Sequence, residues 1–153
     1  MTGHAVDDER HMRRCLELAR RALDAGDVPV GALIVREERI IGEGYERVRA
    51  ELDPSAHAEI VAIREACRAT GSIDLSGATL YTTVEPCVLC AYAVRQSRIA
   101  RLVFGVPAGE LGGATGTYPV LGNATVAKWG APPTVQGGVC AAECAALLAR
   151  RRR

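Results

Sequence analysis

The sequence predicts a three-layer α/β domain, with helices packed on both faces of a sheet, and three observations predict it. Residues 29–47 carry a β-hairpin pattern. From residue 56 to 106, helical and strand-like segments alternate, as βαβ crossovers require. The length, 153 residues with 48% hydrophobic, suffices for one domain with a single sizeable core. That domain is expected to span residues 1–153, with 1–6 and 150–153 disordered.

From about Asp7, the residues Met12, Cys15, Leu16, Ala19, Ala22 and Leu23 recur at helical spacing until Gly26, which predicts a core-facing helix. Pro29 to Arg36 is rich in Val, Leu and Ile, and Arg39 to Arg47 follows a charged turn at Glu37-Glu38, giving the hairpin. Within Val28-Pro29-Val30-Gly31, the small glycine either lets a base approach a slot or relieves packing; the sequence leaves both readings open. Val48 to Ser55 reads as a polar loop. Asp53-Pro54-Ser55 is turn-forming, and Ile60, Ile63 and Cys67 then predict a helix from about Ala56 to Ala69. A strand at Ala78 to Val84, a helix through Ala91 to Gln96 and a strand at Ala100 to Val106 follow. Residues 105–122 are loop-like, with glycines at 109, 112, 113, 116 and 122. Thr134 to Val139 is a fifth strand, and Cys140 to Arg150 a final helix.

Composition narrows the function classes. No apolar run approaches the length of a membrane span, and the first residues are polar and charged rather than signal-like, so a cytoplasmic location is expected. In that reducing setting the six cysteines read as thiols and metal ligands rather than disulfides, with Cys15, Cys67, Cys140 and Cys144 as core thiols. Net charge is +1, but four of the 19 basic residues are Arg150–Arg153, so the remaining body is net acidic and is no basic nucleic-acid platform. The arginine tail reads first as a solvated terminus, with phosphate contact as the alternative.

The chemistry lies in His57-Ala58-Glu59 and Pro86-Cys87-Val88-Leu89-Cys90. If a helix begins after Pro86, the thiols of Cys87 and Cys90 share one face of its first turn, and the helix dipole favours their thiolate forms. His57 supplies a third ligand. Three protein ligands leave one tetrahedral position for water, the arrangement of a catalytic zinc rather than a structural one. On an ideal helix His57 and Glu59 point roughly 200° apart, so both address one metal only at a helix entrance. Two helix N-termini would then face one ion and lower the pKa of a bound water. Glu59, bracketed by a ligand and the apolar face, is the acid–base catalyst of this reading. Without catalysis the chain would be a zinc-stabilised binding module, to which Glu59 would be superfluous.

The His-x-Glu and Pro-Cys-x-x-Cys pair matches the signature of zinc deaminases that act on nucleobases. Together with Val28-Pro29-Val30-Gly31-Ala32, Asp53-Pro54-Ser55-Ala56, Leu80-Tyr81-Thr82-Thr83-Val84-Glu85 and Ser97-Arg98-Ile99, it resembles the bacterial tRNA adenosine deaminase and guanine deaminase branch of the cytidine-deaminase-like superfamily. The resemblance is dense from about Met12 to Gly105 and returns at Glu143-Cys144-Ala145-Ala146-Leu147-Leu148. It implies a homodimer with a central mixed five-stranded sheet, zinc on His57, Cys87 and Cys90, and Glu59 as proton shuttle. Glu46, Val30, Ala58 and Glu85 are the expected substrate-binding residues.

Two departures bear on the substrate. Where the tRNA enzymes and many guanine deaminases carry Asn, this chain has Glu46, and an ionised carboxylate only accepts hydrogen bonds, which favours a donor-rich base such as guanine or an aminotriazine over adenine. After Phe104-Gly105, the charged stretch of the tRNA enzymes is replaced by Val106-Pro107-Ala108-Gly109-Glu110-Leu111-Gly112-Gly113-Ala114-Thr115, and their Asn-His pair by Ala131-Pro132-Pro133. An interface without basic groups loses most phosphate-derived affinity. The sequence expectation is therefore a deaminase of a free nucleobase or nucleoside, guanine-type favoured. Adenosine-to-inosine editing of tRNA and cytosine or cytidine deamination are the enzyme alternatives, and a tRNA partner is disfavoured.

Overall fold

The computed structural model describes residues 3–151. Within them the chain runs α1 (Gly3–Asp24), β1 (Gly31–Arg36), β2 (Arg39–Tyr45), α2 (Val48–Glu51), α3 (Ala58–Thr70), β3 (Thr79–Val84), α4 (Val88–Gln96), β4 (Arg101–Val106), β5 (Thr134–Gln136) and α5 (Ala141–Leu148). The five strands form one mixed sheet in the order β2-β1-β3-β4-β5. β1 is antiparallel to β2 and β3, whereas β3, β4 and β5 are parallel. The parallel pair β3–β4 is joined through α4, as a crossover requires.

Strand alternation builds the three layers. Ala32, Ile34, Leu80, Leu102 and Phe104 point to one face and pack with α3 and α4. Leu33, Val35, Tyr81 and Val103 point to the other and meet Met12, Cys15, Leu16 and Ala19 of α1 and Cys144 and Leu147 of α5. Each large side chain buried in this way contributes about 1.5–3 kcal/mol.

Glycines set how closely the helices approach. A Cβ on Gly31 would lie 2.0 Å from the Cys15 carbonyl oxygen, so this glycine admits the backbone of α1 onto the sheet, and of its two readings the packing one holds. A Cβ on Gly44 would lie 2.3 Å from the Ala58 carbonyl oxygen, so the start of α3 rests directly on β2.

Several boundaries differ from expectation. Residues 3–6, expected disordered, form the first turns of α1. Residues 1, 2, 152 and 153 lie outside the described residues, while Arg150 and Arg151 close turns on Leu147 and Leu148. The polar stretch from Val48 contains the one-turn helix α2, whose Arg49 and Ala50 amides donate to the buried Asp27 carboxylate at 2.8 and 3.1 Å. At the hairpin tip Glu37 and Glu38 both take positive φ, 52° and 64°, the twist that a two-residue hairpin turn demands.

Two buried charges, unforeseen from the sequence, tie distant segments together. Asp8 of α1, 2% exposed, accepts from both Arg101 terminal nitrogens at 2.8 and 2.7 Å and from the Tyr81 hydroxyl at 2.8 Å. Arg95 of α4 donates to the carbonyl oxygens of Val120, Leu121, Asn123 and Gly130, and its guanidinium lies 5.1 Å from the Trp129 ring. All six cysteines are free thiols. Among the described residues no helix is long and apolar enough to cross a membrane.

Candidate metal and catalytic site

The site forms where two helices begin. His57 is the residue before α3, with extended backbone (φ −68°, ψ 152°), and Cys87 holds the same place before α4 (φ −70°, ψ 177°). Cys90 follows one turn into α4. His57 therefore lies outside the helix on which Glu59 sits, which removes the angular conflict between them. His57 Nδ1 is 3.5 Å from Cys87 Sγ and 3.4 Å from Cys90 Sγ, and the two sulfurs are 3.9 Å apart. Zinc held tetrahedrally by one nitrogen and two sulfurs would span edges of about 3.5–3.8 Å. The three donors thus have the chemistry and the spacing zinc requires, and they are the one such cluster of three among the described residues.

With protons in place of a metal, the cluster is already polarised. Hydrogen bonds from Cys90 and then His57 bring the Cys87 thiol down to about 4. The bond to Cys87 raises His57 to about 9, and Cys90 is held protonated by Cys87 and by burial. Zinc binding displaces those protons.

Glu59 is 4% exposed, and burial raises its pKa. Its Oε2 lies 3.5 Å from Cys90 Sγ, on the metal-ligand side, while Oε1 accepts from the Thr82 hydroxyl at 3.0 Å. Thr82 was not singled out by the sequence; period-two alternation from Leu80, which packs on the α3 side, is the signal that would have found it.

The four expected substrate-binding residues separate. Glu46 stands at the site: its Oε1 accepts the Ala58 N–H at 3.1 Å, satisfying one of the open amides at the start of α3. Burial, and then the charge of Glu59, push its carboxyl up to about 7. A carboxyl raised in this direction is not confined to accepting, so Glu46 does not by itself select a donor-rich base. Val30 and Ala58 are buried in the core beneath, the Val30 carbonyl accepting from the Glu46 N–H at 3.1 Å.

Glu85 is placed differently from the expectation. It is 2% exposed, and its carboxylate accepts from the amides of Ala108, Ala114 and Thr115 at 3.1, 2.9 and 2.7 Å and from the Thr115 hydroxyl at 2.7 Å. Burial alone would raise its pKa, but the Thr115 and Ala108 donors outweigh it and hold the carboxyl below its ordinary value.

A mixed five-stranded sheet carrying a His–Cys–Cys cluster at two helix N-termini, with a buried carboxylate against it, defines a zinc-dependent hydrolase. Residues 5–106 match the cytidine and deoxycytidylate deaminase zinc-binding region, and the chain belongs to that family of zinc-dependent deaminases. It is 40% identical over 124 residues to a tRNA-specific adenosine deaminase of Aquifex aeolicus, covering 79% of this chain and 82% of that protein. A tRNA-specific adenosine deaminase of Haemophilus influenzae is 41% identical over 142 residues, 92% of this chain and 80% of that one. Among solved structures, one from a study of A-to-I editing by tRNA:A34 deaminases superposes with a TM-score of 0.84 at 36% identity, over 90% of this chain and 98% of that chain. A guanine deaminase from Bacillus subtilis gives 0.62 at 38% identity, over 65% and 64%.

These relatives overturn the expectation of a free nucleobase or nucleoside deaminase with a guanine preference, and with it the disfavouring of a tRNA partner. Both arguments behind it rested on charge. The Glu46 argument assumed full ionisation. The loop argument weighed missing charged residues, whereas the path of the loop depends on Gly112 and on Glu85, both present: a Cβ on Gly112 would lie 2.3 Å from Glu85 Oε2.

Proposed function

We propose that the chain is a tRNA-directed adenosine deaminase that replaces the exocyclic amine of an anticodon adenosine by a carbonyl, giving inosine and ammonia. The observation that carries this reading is the 40% and 41% identity, over 79% and 92% of this chain, to tRNA-specific adenosine deaminases, with the tRNA:A34 deaminase structure at a TM-score of 0.84 and 36% identity against 0.77 and 27% for a guanine deaminase from Nitrosomonas europaea. Zinc on His57, Cys87 and Cys90 would supply a water acidified toward neutral pH. Glu59, raised in proton affinity by burial, would use Oε2, the oxygen beside Cys90, to pass one proton of that water to the ring nitrogen of the base and then the second, from the hydroxyl newly bonded to the ring carbon, to the departing amine. Thr82 steadies Oε1 meanwhile. Glu46 offers the base a donor and an acceptor from beside the α3 N-terminus.

The arginines that follow α5 support an RNA substrate. Arg151 lines a cavity of about 450 Å³ with Val106 and Pro107, at the start of the loop that Glu85 holds. A homodimer belongs to the same reading, with Leu89 and Tyr92 of α4, 45% and 48% exposed, on the covered face; sedimentation of a Tyr92→Arg variant tests it. So does a cytoplasmic location, where such a substrate is found.

The test is a zinc-loaded preparation incubated with anticodon stem-loops bearing adenosine at the first anticodon position, and in parallel with guanine, cytidine and free adenosine. Inosine in the stem-loop and little ammonia from the small molecules is the expected result. Faster ammonia release from any small molecule than from the RNA would overturn the reading.

A further inference from the structure

Glu85 is a carboxylate buried to 2% exposure, and all four partners that hold it are neutral donors. Burying an anion is unfavourable unless hydrogen bonds replace its water, so an arrangement this complete specifies the path of the chain that supplies them. Those donors span residues 108–115, which close around the carboxylate with no room to spare at Gly112.

The same loop is laced to the metal-ligand turn. Glu85 immediately precedes Pro86-Cys87. The Gly113 amide donates to the Pro86 carbonyl oxygen at 2.8 Å, and Gly112 pairs with Cys87 in an isolated antiparallel bridge. A Cβ on Gly113 would lie 2.4 Å from the Ala91 side chain, so the loop lies flat on the first turn of α4. Leu111, next to Gly112, is 65% exposed and stands free of the core.

We propose that Glu85 is a positioning residue. Its carboxylate folds residues 108–116 into a wall beside the zinc-ligand turn, and the residue acts on substrate binding through that wall while the metal ligands hold zinc without it. The inference rests on the deaminase reading of the site, since the wall matters only to a substrate that sits there.

Glu85→Gln discriminates. One amide oxygen still accepts from Ala114 and Thr115, but the amide nitrogen then opposes the Ala108 N–H, donor against donor. We expect zinc stoichiometry unchanged, hydrogen exchange at the 108–116 amides faster by about tenfold or more, and KM for the RNA substrate raised about tenfold with kcat within about threefold. Leu111→Ala should raise KM with exchange at Ala114 and Thr115 unchanged. Unaltered exchange and KM in Glu85→Gln would overturn the proposal, as would loss of zinc with the loop amides still protected. Zinc content and exchange are read without substrate, so a failure of the proposed activity leaves the loop result standing on its own. Should Glu85→Ala fail to fold, Glu85→Gln carries the test.

Discussion

The Thr82 hydroxyl lies 3.0 Å from Oε1 of Glu59 and 2.9 Å from the Val84 carbonyl oxygen, and it has one proton for the two. When Glu59 is ionised the hydroxyl donates to Oε1; with a proton on Oε2, Oε1 is the weaker acceptor and the hydroxyl turns to the Val84 carbonyl oxygen. In the proposed reaction the threonine would therefore follow the charge of the glutamate.

Replacing Thr82 by valine removes that alternation at constant shape. A hydrogen bond to a charged group is worth about 1.5–3 kcal/mol, so kcat should fall about 10- to 100-fold while zinc content stays the same. Thr82→Ser keeps the hydroxyl and should recover most of the rate. Equal kcat in the valine and serine variants would remove Thr82 from the proton path.

Glu59→Gln keeps the volume and the Thr82 contact but moves no proton. Turnover should drop by about 10³-fold with metal stoichiometry intact, within the range that positioned acid–base groups contribute. Metal analysis beside single-turnover kinetics checks both halves, and zinc loss would make Glu59 a structural support instead.

Glu46→Gln retains an acceptor for the Ala58 N–H and a donor for substrate, whereas Glu46→Leu retains neither. We expect inosine formation within about threefold of the parent for the first and reduced more than about tenfold for the second, because a buried amide left without its partner costs about 1–3 kcal/mol. Equal rates would place Glu46 outside substrate contact.

Asp8 gives a pH signature remote from the metal. Arg101, opposed by burial and aided by the Tyr81 hydroxyl, holds its carboxyl below the usual value. A folded-state pKa depressed in this way contributes stability that is full above the unfolded value of about 3.9 and is lost as pH falls through the folded value. Asp8→Asn should cost about 3 kcal/mol at pH 7 by leaving Arg101 without its counter-charge. The gap in thermal midpoint between variant and parent should narrow below about pH 4; a gap constant down to the lowest accessible pH would count against the pair.

Chelation should loosen the two helix starts together, since His57 and Cys87 occupy their cap positions and neither makes a side-chain cap bond. A site saturated at about a hundred times its dissociation constant adds about 2.7 kcal/mol. Removing zinc should then lower the midpoint by about 5–10 °C, restored on adding the metal back. An unchanged midpoint would separate metal binding from the integrity of α3 and α4.

What was legible in the sequence was local. The ligands follow from His57-Ala58-Glu59 and the Cys87–Cys90 spacing because the chemistry needs them near helix starts, and the strands follow from period-two runs such as Leu80-Tyr81 and Leu102-Val103. The partnerships of Asp8 with Arg101 and of Glu85 with Ala108, Ala114 and Thr115 were hidden, the first because the two residues are 93 positions apart and the second because backbone amides of any residue type can serve. Glu46 was legible as a position but not as a charge state, which is set by burial and by Glu59. The first turn of α1 was missed because Gly3-His4-Ala5-Val6 has no apolar stripe of its own.

Arg95 holds four carbonyl oxygens of a segment, residues 120–130, that has only two short 3-10 turns of its own. Anchorage there is to main-chain oxygens, so the letters of the segment are free to drift over evolutionary time while the clasp stays the same. Insertions and composition changes should accumulate in that stretch across homologues, and a change at position 95 itself should be rare.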